Sequence, residues 1–166
     1  MDIRSFAQSI HAVNLDNGFD PPSWENLPIK LMLATTELDE ARAATDGTGV
    51  DPLGEEFADV AIRLLDILHT LWRDTWYDRR ASKYPAGLCF IPVEVLLWSI
   101  LHWLCNATEQ WRDNNQTDTR ISLELALAET FALAHRLQID LPSEMEQKLA
   151  KNMDRGQCHG RARSDG

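Results

Sequence analysis

The sequence predicts an all-α fold, an antiparallel helical bundle of about five helices in one domain over residues 1–166. Three observations carry this expectation. Apolar residues recur at three- and four-residue spacing through each long segment. Proline- and glycine-bearing breaks separate those segments. No stretch needs the strict alternation of a half-buried strand.

The first expected helix opens at Asn26, a capping residue, with Pro28 in the first turn, where a missing N–H costs little. Leu31, Ala34, Leu38 and Ala41 follow at helical spacing, and "TDGTG" stops the run at Gly47. Asp51-Pro52 is a second start, a cap followed by proline at the first helical position. Phe57, Val60, Ala61, Leu64, Ile67 and Leu68 then form one apolar face, on a helix expected to continue to about Arg79. "KYPAGLCFIP" is a loop. Further helices are expected over about Val93–Asp113 and about Arg120–Leu137, and Pro142 opens a short last one carrying Glu146 and Lys148. From Met153 onward the chain has no periodicity and is expected to be irregular. A faint echo joins the acidic hairpin at Ala34–Ile67 to a second one at Leu104–Ala134. Asn106 and Leu127 stand in the second where Glu37 and Asp59 stand in the first.

Hydrophobic residues make up 44% of the chain and charged residues 25%, ordinary for a folded domain, and the formal charge is −10. That charge disfavours nucleic acid and anionic lipid as partners, because phosphate contacts need lysine and arginine. The apolar run from Ala86 to Cys105 is long enough to suggest a membrane span. Pro92, Glu94, Ser99 and His102 argue for a buried or interface helix instead, and no membrane partner is expected. "MDIRSFAQSIHAV" lacks the apolar core and cleavage site of an export signal. Cys89, Cys105 and Cys158 form no CxxC pair and fit reduced thiols in a cytoplasm.

The informative feature is the placing of acids among apolar residues. Glu37 and Glu40 are three apart, as are Glu56 and Asp59, so each pair shares a helix face. Glu56, Asp59, Arg63 and Asp66 fall within about 80° of arc on one helix. Like charges at such spacing cost a few tenths of a kcal/mol each. Glu37 also borders the apolar stripe of Leu38 and Ala41 rather than lying opposite it. A solvated face would more often alternate signs. Four facing carboxylates become tolerable around a hard cation, and Mg²⁺, which takes oxygen ligands and keeps waters, suits the set. A carboxylate-bridged di-iron centre would want Glu-x-x-His. None of His11, His69, His102, His135 and His159 stands three after a glutamate.

Glu37-x-x-Glu40, fifteen residues, then Glu56-x-x-Asp59 resembles the motif of the MazG-like all-α nucleoside triphosphate pyrophosphohydrolases. "IHAVNLDNGFDPPSWENLPIKLMLATTELDEA" looks like the N-terminal run of phage-type members. "EMEQKLAKNMDRGQCHG" looks like their closing segment, with Lys148, Asn152, Arg155, His159 and Gly160 in register. Gly156 replaces the usual proline after the arginine, and a lengthened middle segment, about residues 71–138, has no counterpart in the compact pattern.

The resemblance implies Mg²⁺-dependent hydrolysis of a (deoxy)nucleoside triphosphate to monophosphate and pyrophosphate, with Mn²⁺ as a substitute. Glu37, Glu40, Glu56 and Asp59 would hold the metal, with Glu40 or Glu37 positioning the attacking water. Lys148, Asn152, Arg155 and His159 would steady the phosphates. Arg63 and Asp66 would support the acidic face, and Asn14, Phe19 and Trp24 would meet the base. The phage-like N-terminus points to the branch specific for dGTP and GTP, acting in a bacterium or an infected cell. Trp72, Trp76, Trp98, Trp103 and Trp111 sit at helical spacing and are expected in the core or a subunit interface. Because a two-helix hairpin needs neighbours to close a bundle, a homo-oligomer, dimer or tetramer, is expected. The competing expectation is a non-catalytic helical adaptor whose acids are a solvated face.

Overall fold

In a computed structural model, which describes residues 2–76, 78 and 91–154, the chain is an all-α bundle. Among the described residues there are six helices and no strand: α1 (Ile3–Asp16), α2 (Leu27–Thr45), α3 (Leu53–Trp72), α4 (Val93–Arg112), α5 (Gln116–Arg136) and α6 (Leu141–Asp154). The helix beyond the expected five is α1. Its N-cap Asp2 accepts from the backbone N–H groups of Arg4 and Ser5, and it buries Ile3, Ala7, Ile10 and Val13 on one side.

α2 and α3 form one antiparallel hairpin and α4 and α5 another; α3 packs on α5 and α2 on α4, closing a four-helix bundle. The neighbours that the acidic hairpin needs thus come from the same chain. α1 and α6 both cross α3 and touch each other. α3 is therefore central, and Phe57, Val60, Ala61, Leu64, Leu65 and Leu68 on it are all fully buried. Burial on this scale stabilises each large side chain by roughly 1.5–3 kcal/mol.

Several boundaries differ from expectation. Asn26 is the N-cap of α2 by position, yet its Oδ1 accepts from the Ser23 N–H and its Nδ2 donates to the Pro21 carbonyl, bracing the preceding turn. Pro52, not Asp51, is the N-cap of α3, which starts one residue late. α3 ends at Trp72 rather than near Arg79; the chain turns there so that Trp76 buries its indole beneath the Arg4 guanidinium. α5 starts a turn early because the Asn115 side chain caps it through the Asp118 N–H. α6 includes Met153 and Asp154, which were expected in an irregular tail. At the end of α2, Gly47 adopts φ 72°, a left-handed stop that suits glycine.

No described helix is long and apolar enough to cross a membrane. α4 instead buries Leu97, Ile100, Leu104 and Ala107 inside the bundle. Trp72 and Trp76 are core residues, and Trp103 and Trp111 pack against the core while partly buried. Trp98 is not a core residue: 67% of it is exposed on the chain's surface. Cys105 is free and exposed; Cys89 and Cys158 lie outside the described residues.

Candidate functional site

The acidic pairs of α2 and α3 meet at one wall of a cavity of about 340 Å³. Their approach follows from the helical spacing, since α2 and α3 run side by side and each offers the acids from one face. Carboxylate oxygens of Glu37, Glu56 and Asp59 lie within 4.8 Å of one another. Glu56 is buried, 3% exposed, and the Glu37 and Asp59 side chains are 15% and 16% exposed. Glu40 lines the same cavity but is exposed and lies outside this close group, so the two i,i+3 pairs are not equivalent.

Built-in cations partly neutralise the wall. Arg63 donates from Nε and Nη2 to Glu37 Oε1 at 3.1 and 3.0 Å, which makes Arg63 a direct partner of the acids. From α6, Lys148 places Nζ 2.6 Å from Asp59 Oδ2 and 2.9 Å from Glu55 Oε1. Lys151 takes the other oxygen of Glu55 at 2.8 Å. No cation among the described residues pairs with Glu56. Burial, followed by repulsion from Glu40, Asp59, Asp51 and Glu37, pushes its carboxyl up to about 7. Burial also raises Asp59, against the pull of Lys148. Glu55 is held below the ordinary range, by Lys151 first and then Lys148. For Lys148 burial alone would lower the ammonium; its bonds to Asp59 and Glu55 outweigh that and raise it.

The opposite wall comes from the end of α1 and the turn after it. Asn14, Asn17 and Phe19 line the cavity, with Phe19 45% exposed. Asn14 Nδ2 donates to Asp66 Oδ2 at 2.8 Å, and Asn17 Nδ2 donates to the backbone carbonyl of Asn152 at 3.0 Å, tying α1 to α3 and α6. Asn152 lines the cavity too, so α6 delivers both Lys148 and Asn152 as its spacing implied. Arg155 and His159 lie outside the described residues.

Trp24 does not join the cavity wall. Its ring stands edge-on to Trp72 at 6.3 Å and its carbonyl accepts from Trp111 Nε1 at 2.7 Å, a packing role. Asp66 stands three before His69, but its two oxygens are taken by His11 and Asn14 rather than offered with His69 to one ion.

Glu55, Asp51 and Asn17 line the cavity and escaped the sequence. Glu55 was within reach, being four residues before Asp59 on the same face. Asn17, the C-cap of an unexpected helix, carried no signal. In the second hairpin Asn106 Nδ2 donates to Ser122 Oγ at 2.7 Å and Leu127 is buried; among the described residues the only close group of three metal-ligating side chains is that of Glu37, Glu56 and Asp59.

The donor set is oxygen only, which fits a hard divalent cation and not a soft one. The chain matches no protein-family model, and comparison with curated proteins and with solved structures gives no match.

Proposed function

We propose that the chain is a divalent-metal-dependent nucleoside triphosphate pyrophosphohydrolase. The observation that carries this reading is a buried carboxylate, Glu56, crowded by Glu37 and Asp59 and with no cation partner among the described residues, at the wall of a cavity that also offers a lysine and amides. A bare cluster of this kind repels a polyphosphate. A divalent cation bound there supplies the charge that lets phosphate oxygens approach and makes a bound water more acidic. Glu37, Glu56 and Asp59 would hold it, with Mg²⁺ the expected ion and Mn²⁺ a substitute.

The remaining residues have separable tasks. Glu40, exposed at the cavity rim, takes a proton from the attacking water. The water oxygen bonds to the α-phosphorus, the bond from that phosphorus to the bridging oxygen breaks, and pyrophosphate leaves. Lys148 and Asn152 face the cavity from α6 and supply a positive charge and a donor for the departing phosphates. Phe19 and Asn14 stand at the other wall for the base. The resemblance to the MazG-like enzymes supplies the choice of the α-phosphorus, and its phage-type branch supplies dGTP and GTP as favoured substrates.

The test is to incubate the protein with each dNTP and with GTP in Mg²⁺, resolving monophosphate, pyrophosphate and orthophosphate. dGMP and pyrophosphate in equal amounts from dGTP are expected. Orthophosphate as the sole phosphate product would reject attack at the α-phosphorus. Turnover of no nucleotide would favour a second reading, a non-catalytic adaptor. That reading draws on an apolar groove of about 370 Å³ between α2 and α4, lined by Leu38, Leu97, Trp98 and Leu101.

A further inference from the structure

The acidic stripe of α3 continues past the carboxylate cluster to Asp66, which touches none of the clustered acids. Asp66 is 8% exposed, and each of its oxygens accepts from α1: Oδ1 from His11 Nδ1 at 3.0 Å and Oδ2 from Asn14 Nδ2 at 2.8 Å. The Asp66 oxygens offer acceptors, so Asn14 turns its NH₂ toward Asp66, and His11 meets the other oxygen through Nδ1. Thr70 Oγ1 lies 3.1 Å from the same His11 nitrogen and helps to hold the ring.

This arrangement removes a freedom that an asparagine side chain ordinarily has. Reversing the Asn14 amide would set its carbonyl oxygen against the carboxylate, two acceptors face to face with one donor left unsatisfied. The orientation is therefore fixed, and Asn14 keeps its Oδ1 and its second N–H for the cavity that it lines beside Asn17 and Phe19. Stapling α1 to α3 does not need a buried charge, because Ile3, Ala7, Ile10 and Val13 already dock that helix. Asp66 follows Asp59 by seven residues, about 10 Å along the helix axis. That is the kind of separation a sugar would bridge between phosphates held at the acids and a base held at Asn14.

We infer that Asp66, steadied by His11, positions the Asn14 amide to read the base of the bound nucleotide, Asn14 touching the base and Asp66 acting through it. This rests on the nucleotide reading of the cavity. It adds that discrimination among bases depends on a carboxylate that contacts neither metal nor substrate.

The experiment uses the full chain and the four α,β-methylene dNTPs, which cannot be cleaved between the α- and β-phosphorus, with Mg²⁺ in a calorimeter. The readout is the ratio of Kd between the weakest and tightest base. Wild type is expected to show a clear spread, and Asp66→Asn and Asn14→Ala are each expected to compress it by about tenfold, the worth of one hydrogen bond made or left unmade in a site. The double variant should compress it no further than either single one, since both act through one amide. His11→Gln, which frees one Asp66 oxygen, should compress it about threefold and gives an independent measure should Asp66→Asn not fold. A purely structural Asp66 would instead weaken all four analogues alike; that result, or a wild type that binds all four equally, overturns the inference. Turnover of natural dNTPs, followed separately, decides the hydrolysis reading. Binding with a compressible base ranking but no turnover would leave this inference standing and end the other. Turnover with a base ranking untouched by Asp66→Asn would do the reverse.

Discussion

Glu56 of α3 and Glu124 of α5 are both buried, at 3% and 1% exposure, one in each of the two hairpins that make the bundle. Glu124 has Arg120 one turn earlier on its own helix, Nη1 lying 3.7 Å from its Oε1. Glu56 has carboxylates for neighbours and, among the described residues, no cation, while Arg63 and Lys148 are directed to Glu37, Asp59 and Glu55. A buried acid neutralised within its own helix is a structural device. A buried acid left unpaired beside two others stores unfavourable energy that an added cation relieves. The comparison separates a hairpin whose buried acid has a cation beside it from one whose buried acid, among the described residues, has none.

The sharpest break of that comparison is Glu56→Gln. Hydrolysis should fall at least ~1000-fold, the order expected when a ligand to the activating charge is lost. The metal-free protein should nevertheless melt higher at pH 8, because the buried repulsion is gone. Nucleotide turnover and thermal melts on the same preparation check both halves, and a variant that is less stable and still active would refute the assignment.

Next in size is the pH dependence of the metal-free protein. Glu56 ionises near 7 when folded and near its ordinary 4.5 when unfolded. Its effect on stability is therefore fully favourable below about 4.5 and is lost as pH rises through about 7, an upper limit of roughly 3 kcal/mol. Asp59, raised in the same sense, adds to this fall. Glu55, which is lowered, acts oppositely: its contribution is present above 4.5 and is lost only as pH drops through its depressed folded value. Melts from pH 5 to 8 should show the decline, Mg²⁺ should reverse it most at pH 8, and Glu56→Gln should flatten it.

Glu124→Gln sharpens the other side. It should destabilise the protein by about 2 kcal/mol, because the Arg120 guanidinium loses the buried charge beside it. Activity per folded molecule should not change. A loss of turnover without a loss of stability would mean that the second hairpin takes part in the chemistry. The smallest expected effect is that of Lys148→Met on the metal alone. With a resident cation removed from Asp59 and Glu55, Mn²⁺ affinity without nucleotide should rise by about fivefold, because a largely buried competing charge is gone. Calorimetric titration measures it, and weaker binding would show that the lysine organises the acids rather than competing for them.

The all-α class and five of the six helices were legible because proline, glycine and apolar spacing are local signals. α1 was not, although Ile3, Ala7, Ile10 and Val13 follow helical spacing. Its only start signal, Asp2, sits at the chain's beginning, and its stability comes from docking on α3 rather than from its own propensity. The start of α5 was lost for a similar reason, since the Asn115 cap lies within a polar run that reads equally well as a break. At the site, i,i+3 spacing brought out Glu37, Glu40, Glu56 and Asp59 but could not rank them. Burial distinguishes Glu56 from Glu40, and burial depends on which helices pack where. The bond from Lys148 to Glu55 spans 93 positions and is invisible to any local pattern. Trp24 is the converse case: an aromatic just ahead of an acidic helix resembles a base platform, and only the packing of the helices shows that its ring meets Trp72 and lies off the cavity wall.

Two of the walls of the acidic cavity come from helices outside the four-helix bundle, Asn14 from α1 and Asn152 from α6. Peeling either outer helix away would therefore open the cavity while leaving the bundle's own core in place.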